Sequence, residues 1–453
     1  MWIVLSGTAL AGGYFYSDSG VVALGRGGAW IAGANTQFAQ RYNPAGLVRV
    51  DAPTVNIGLT EVQQEIAFTR APTADLTFDR VENQATPFEV PEFGLVTPVG
   101  KGWAIAVGFT SPFAPSSLYP SGGAQRYSII DTGIYQFSVG PSVAYRPPSA
   151  EWFAVGMTLQ WNYLQVNEAL AITINGSDDP AADIDVAARV TDFFSPGVNI
   201  GMLIEPVPAL SIGLDVVTPT SFRANGTGTL DFTGITFSDG LTQTVYTDDA
   251  VALNISLPVE LKAGIAVRPV PEVEIEAAAV WQGWSSLSDI LIEEVDVTLK
   301  VKDEEIWQLV IPEDQRAVDD HFVLPAGLRD TISLRLGGEW QATTGFAVRA
   351  GGFWESGAFP TSLLSVSLVD SNKNQLGGGA SGWMLARRLR LDGGFAWILF
   401  PTVNVSDSTV TQVDAGVVTG MEPLVVGNGI YESHGWIAGA SASWTFRKKK
   451  EGA

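Results

Sequence analysis

The sequence predicts an all-β protein: a transmembrane antiparallel β-barrel of about 14 strands with an N-terminal hatch plugging its lumen. Three observations carry that expectation. The chain has 453 residues and is 46% hydrophobic, yet it has no internal apolar run of about eighteen residues, so membrane-crossing helices are not expected. Its apolar residues instead alternate with polar ones, which is the period of strands. Short turns also alternate with long polar connections along the whole chain, as a membrane barrel requires. A soluble sandwich would have short loops at both ends. A propeller would repeat with a blade period, and none is visible.

The elements follow in order. Residues 1–11, MWIVLSGTALA, are apolar and end in an Ala-x-Ala pattern at Ala9-Leu10-Ala11, which reads as the remnant of a signal peptide. A short buried strand is the alternative. Residues 12–50 are Gly-rich, briefly helix-like at TQFAQRY, and do not alternate over membrane-spanning length. They are compact and apolar, and a barrel this wide is not filled by its own side chains. They are therefore the natural hatch.

Residues 51–447 form the barrel. The module is clearest at LNISLPVELKAGIAV, where Leu253, Ile255, Leu257, Val259, Leu261, Ile265 and Val267 share one parity. This reads as one long strand with one apolar face. It turns at RPVPEV into VEIEAAAVWQ. Similar short turns fall near Gly100, Pro147, Val207, Thr344 and Arg387. The long connections fall at roughly 62–90, 114–131, 166–190, 224–250, 286–329, 357–375 and 403–432. Trp103, Tyr145, Trp161, Trp281, Trp340, Trp354, Trp397, Trp436 and Trp444 lie near strand ends on the apolar parity, as interfacial aromatic girdles do. An even strand number places both barrel ends on the short-turn side. The last strand, HGWIAGASASWTF, is followed by a basic tail at 448–453.

A net charge of −22 with a pI near 4.4 argues against nucleic acid, because phosphate binding needs clustered Lys and Arg. The absence of Cys excludes a disulfide framework and Cys-ligated metal. The two histidines, His321 and His434, sit in no nucleophile motif, so no enzyme, cofactor or metal centre is expected. The acidic loop at 286–328 lacks the spacing of a calcium loop.

GVVALGRGGAWIAGANTQFAQRYNPAGL resembles the hatch of the FadL/TodX family of outer-membrane transporters for long-chain fatty acids and aromatic hydrocarbons. The matching motifs are Asn43-Pro44-Ala45 and the glycines Gly25, Gly27 and Gly28 around Arg26. The strand pair from LNISLPVELKAGIAV to WQGWSSLSDI, and RDTISLRLGGEWQATTGFAVRAGGFWESGAFP, resemble the family as well. The resemblance implies a bacterial outer-membrane channel that is monomeric and surrounded by outer-membrane lipid. Its extracellular loops capture a hydrophobic small molecule, a fatty acid or hydrocarbon, and pass it beside a movable hatch for passive uptake. It also implies a sideways exit at the third strand, GWAIAVGFTSPF, where Gly108 and Pro112 can interrupt the ladder. A strand that simply ends at Pro112 is the alternative.

The cations on polar strand positions are Lys262, Arg335, Arg349 and Arg390. Each can face a ligand carboxylate, or pair with lumen acids such as Glu260, Glu274, Glu276, Glu339 and Asp392. A barrel that only displays its loops, structural or adhesive and without transport, is the rival function. At Asn43-Pro44, Asn43 is expected to cap a short helix and Pro44 to occupy its first position. Proline also pushes the preceding residue into an extended conformation.

Overall fold

The computed structural model describes residues 20–113, 116–173, 175–231, 245–286, 290–293, 300–301, 304–305, 321–324, 327–367, 369–412 and 423–446. The expected signal remnant, the first residues of the hatch and the basic tail lie outside the described residues. Fourteen antiparallel strands form a closed barrel. They are β1 (Thr54–Arg70), β2 (Phe88–Pro98), β3 (Trp103–Phe113), β4 (Asp131–Tyr145), β5 (Phe153–Thr173), β6 (Asp183–Val207) and β7 (Leu210–Val217 continuing as Thr220–Asp231). Then come β8 (Val245–Leu257 and Glu260–Val270), β9 (Val273–Gln282), β10 (Thr331–Thr343), β11 (Phe346–Glu355), β12 (Lys373–Met384), β13 (Leu389–Leu399) and β14 (Gly429–Thr445). Closure is made by β1 and β14, paired from Thr54↔Thr445 to Arg70↔Gly429. All six short turns fall where the alternation places them. No helix among the described residues is long and apolar enough to cross a membrane; a β-barrel crosses with its strands instead.

On the short-turn half, apolar side chains point outward. Ile57, Leu159, Ile200, Leu261, Ile265, Leu334, Leu336 and Leu376 are all exposed. Trp103, Trp161, Trp340, Trp354 and Trp444 are exposed near strand ends, and Trp103 stacks on Tyr145 at 4.3 Å. Outward apolar residues and a closed ladder are what lipid requires of a sheet.

Beyond Trp161 the polarity inverts. Up to that level β5 points Val155, Met157, Leu159 and Trp161 outward and Thr158 and Asn162 inward. Above it Leu164, Val166, Leu170 and Ile172 are buried inside, and Gln165 and Asn167 lie on the outer face. The neighbouring strands match, with Val166↔Val190, Leu170↔Val186 and Ile172↔Ile184 in register. Phe222↔Ile255 and Ala224↔Leu253 continue the apolar lining across β7 and β8. The crossover on β6 is a register irregularity opposite Asn162–Leu164, and Phe193 and Phe194 there both face outward at 70% and 64% exposure.

Two expectations are corrected by this inversion. Much of the connections expected at 166–190 and 224–250 is strand, because a polar outer face above the lipid looks like loop in composition. The single apolar face expected from Leu253 to Val267 is two faces. Leu253 and Ile255 point in, whereas Leu261, Ile265 and Val267 point out. The break lies between Leu257 and Glu260, at Pro258, which has no N–H for the ladder.

The hatch fills the lumen. Its regular pieces are α1 (Val21–Leu24), α2 (Ala39–Tyr42) and a 3-10 helix, Pro44–Arg49. Val22, Trp30, Phe38, Tyr42 and Leu47 form a core with Val96, Ala104, Ala106 and Ala144 of β2–β4.

Candidate functional site

The Asn43 bend sits where the hatch meets β6. Asn43 is extended at φ −167°, ψ 98°, and its side-chain oxygen accepts the Ala45 N–H, capping the 3-10 helix that Pro44 begins. Its amide donates twice, to Ile31 O at 3.0 Å within the hatch and to Met202 O at 2.9 Å on β6. Asn43 is fully buried. Ala45 packs on Ala154 and Leu203. The stretch is thus a turn and also a bolt between the plug and the wall.

The hatch glycines explain themselves by close approach. Gly27 has φ +60° and Gly28 φ +68°, conformations that favour glycine. A Cβ on Gly27 would run into the Gly352 backbone of β11, and one on Gly25 would lie 3.1 Å from Gly379 Cα of β12. Between them Arg26 is 2% exposed, 2.8 Å from Glu274 and 3.5 Å from Glu276. Burial works against its charge, but the carboxylates of Glu274, Glu276 and Glu339 outweigh that and hold its proton more tightly than usual.

A polar clamp continues around β6–β9. Glu276 accepts the backbone N–H groups of Ile31, Ala32 and Gly33 at 2.6–2.8 Å. Asn199 donates to Gln40 O at 3.0 Å. Arg49 donates to Ala32 O and Ala34 O and pairs with Glu205 at 2.8 Å. The bonds made by Glu276 and Arg49 involve charged groups and are the strong kind.

Each of the four strand cations is engaged. Lys262 lies 3.2 Å from Asp215 and 3.3 Å from Glu260, and donates to Arg41 O at 2.9 Å. Arg335 is 3.9 Å from Glu355 and covers the Phe353 ring. Arg349 bonds Glu339 at 2.6 Å and lies 3.7 Å from Asp392, which Arg390 bonds at 2.8 Å. Arg41, Lys262 and Arg335 do reach a cavity beside Tyr42, but that cavity is about 10 Å³, about enough for one water.

At β3 the two expected interruptions separate. Gly108 is regularly paired with Gly94 of β2 and Gly140 of β4. Its missing side chain makes room for the Gln40 carboxamide of the hatch. The irregularity lies between Thr110 and Phe113, spanning Pro112. Pairing of β3 with β2 ends at Phe93↔Phe109 among the described residues, although β2 extends to Phe88. On the long-loop side of that point Phe88 of β2 contacts Tyr135 of β4, with ring centroids 5.3 Å apart.

His434 lies on the outer face, stacked on Trp397 and 2.9 Å from Glu65. Sequence reasoning missed Glu276, Asn199 and Gly201 as hatch contacts. A Cβ on Gly201 would overlap the Asn43 side chain and Pro44. The available signal was lone glycines and amides on the polar parity of apolar strands.

Residues 2–446 match the profile of the family described as outer membrane protein transport protein (OMPP1/FadL/TodX). No curated protein matches the chain at a significant level. Similar solved structures include a Pseudomonas aeruginosa FadL homologue, 14% identical, covering 96% of this chain and 100% of that one with a TM-score of 0.73. The CymD monoaromatic hydrocarbon channel is 18% identical over 95% of this chain and 98% of its own, TM-score 0.64. The Ralstonia pickettii toluene transporter TbuX is 15% identical over 94% and 98%, TM-score 0.67. At these identities the likeness establishes the fold.

Proposed function

Because the chain belongs to the outer membrane transport protein family (OMPP1/FadL/TodX), we propose that it admits a hydrophobic small molecule across the outer membrane by passive diffusion. The observation that carries this reading is the inverted storey of β5–β8. Leu164, Leu170, Val186, Phe222 and Leu253 point inward beyond Trp161 and are buried. An apolar interior of that kind suits apolar ligands. The long loops then face outside the cell and the short turns face the periplasm.

An uncharged ligand suits the lumen better than a fatty acid. Lys262, Arg335, Arg349 and Arg390 each have a carboxylate nearby, so a fatty-acid headgroup must displace an existing ion pair. The exit is either past a shifted hatch or sideways where β3 leaves β2 near Pro112. Uptake measured in cells lacking the native protein tests the ligand class. Complementation should raise entry of a monoaromatic hydrocarbon more than entry of a long-chain fatty acid. The reverse ranking refutes the preference, and no rise in either sinks the transport reading.

The dense polar clamp favours a second reading, a hatch that stays fixed in a barrel that merely displays its loops. The chain has no native Cys, so cysteines at Ala45 of the hatch and Ala154 of β5, which pack in one cluster and already carry a Cβ, give one defined tether. Transport past a moving hatch predicts uptake lost on oxidation and restored on reduction. A tethered protein with full uptake excludes hatch movement.

A further inference from the structure

At the short-turn end a larger cavity, about 150 Å³, opens between hatch and wall. Thr36 and Gln37 of the hatch form one side; Trp383, Arg387 and Arg390 around the β12–β13 turn form the other, with Ser443 of β14 behind them. At that size it accommodates a small polar group.

Gln37 is 1% exposed, and its side-chain Nε2 has no hydrogen-bond partner. A buried donor left unmade is costly, and an absent acceptor is the ordinary explanation. Across the cavity Arg387 lies over the Trp383 ring at 5.1 Å. Arg390 is committed to Asp392 and Arg49 to Glu205, whereas Arg387 has no carboxylate partner among the described residues. The turn that presents it is strained: Leu385, Ala386 and Arg387 have φ of 51°, 55° and 64°. Three successive left-handed non-glycine residues are unfavourable, and such strain is retained where the backbone must aim a side chain. The lining carries three arginines, Arg49, Arg387 and Arg390, against one acid, Asp51.

We propose that this pocket binds an oxyanion, a carboxylate or phosphate group. Arg387 supplies a forked donor and Gln37 a buried one. Because one donor belongs to the hatch and the other to the barrel, the bound anion clamps the two together. By linkage it stabilises the docked hatch over the released one. The anion is either free in solution or the headgroup of a lipid.

The test uses the full chain in neutral detergent, titrated calorimetrically with inorganic phosphate, with butyrate, and with micelles doped with phosphatidic acid. The expected result is saturable binding of at least one probe, weakened at least tenfold by Arg387→Gln and by Gln37→Leu. Binding of phosphate or butyrate identifies a free anion, and binding confined to phosphatidic acid identifies a headgroup. Arg387 is exposed on its turn, so its substitution does not threaten folding. No saturable binding of any probe, or undiminished binding in Arg387→Gln, overturns the site. The clamp makes a separate demand: the anion should slow proteolysis of the hatch in the wild type and not in Arg387→Gln. Equal protection in both refutes it.

Discussion

Replacing Asn43 with alanine removes three hydrogen bonds from a side chain with no solvent exposure. The cap on Ala45 N–H goes, and so do the donations to Ile31 O and Met202 O. Loss of an N-cap costs about 1 kcal/mol. Each carbonyl left without its donor adds about 1 kcal/mol at the low end for buried groups. The sum, roughly 3 kcal/mol, raises the population of undocked hatch about a hundredfold. Asn43→Ala should therefore leak: planar-bilayer conductance rises, and the hatch becomes protease-sensitive while the barrel stays folded.

Asn43→Asp separates the two roles. It keeps the capping oxygen and loses both donations, and it faces two carbonyls with a buried charge. If the bolt to β6 matters, Asn43→Asp leaks at least as much as Asn43→Ala. If it behaves as the wild type, capping of the bend was the whole contribution. Unchanged conductance and uptake in Asn43→Ala would refute the bolt altogether and return the stretch to an ordinary turn.

Glu276→Gln should also raise conductance, since one amide cannot replace a carboxylate that accepts three hatch N–H groups. Gly201→Val should leak like Asn43→Ala because it intrudes on Asn43 and Pro44, and the double variant should add little, which conductance of all three measures. Leu170→Glu, at a site 1% exposed, should cut uptake of an apolar probe at least tenfold with conductance unchanged. Lys262→Met should destabilise by about 3–5 kcal/mol in denaturant titration, because Asp215 is left buried without its cation; weaker fatty-acid binding at unchanged stability would instead make Lys262 a headgroup receptor.

The strand number and the six short turns were legible because lipid imposes a strict rule on outward residues. Alternation, however, carries no sign. The odd parity from Leu253 to Val267 is unbroken in sequence, yet Pro258 reverses which face is inside. Above Trp161 the same alternation serves a soluble wall with an apolar interior, and its polar outer residues resembled loop. In the hatch, the Asn43 cap was legible because its partner is two residues away. Glu276 was not, because the amides it holds are more than 240 residues distant. Gly108 was ambiguous for a related reason. A glycine in a strand marks a bulge or a close approach with equal force, and the approaching Gln40 belongs to another part of the chain.

The plug is held differently on its two sides, and this decides how it can move. Toward β2–β4 it presents Val22, Phe38 and Leu47 to Val96, Ala104, Ala106 and Ala144, and adds hydrogen bonds from Gly20 N–H to Glu92 and from Ser142 to Gln40. Apolar contacts of that kind have no direction, so a small slide exchanges one contact for another at little cost. Toward β6–β9 it is held by Asn43, Asn199, Glu205 and Glu276, whose bonds weaken steeply with misalignment. A hatch that moves, as proposed, should therefore begin on the β2–β4 side and pivot on the more polar side. The slide borders the point where β3 parts from β2. Asn43 lies on that more polar side, so its loss should free the plug as a whole. Enlarging Ala106 to leucine would instead jam the sliding face. That substitution should lower uptake while leaving the closed-state conductance at the wild-type level; raised conductance would show that the apolar side, too, is part of the fixed seal.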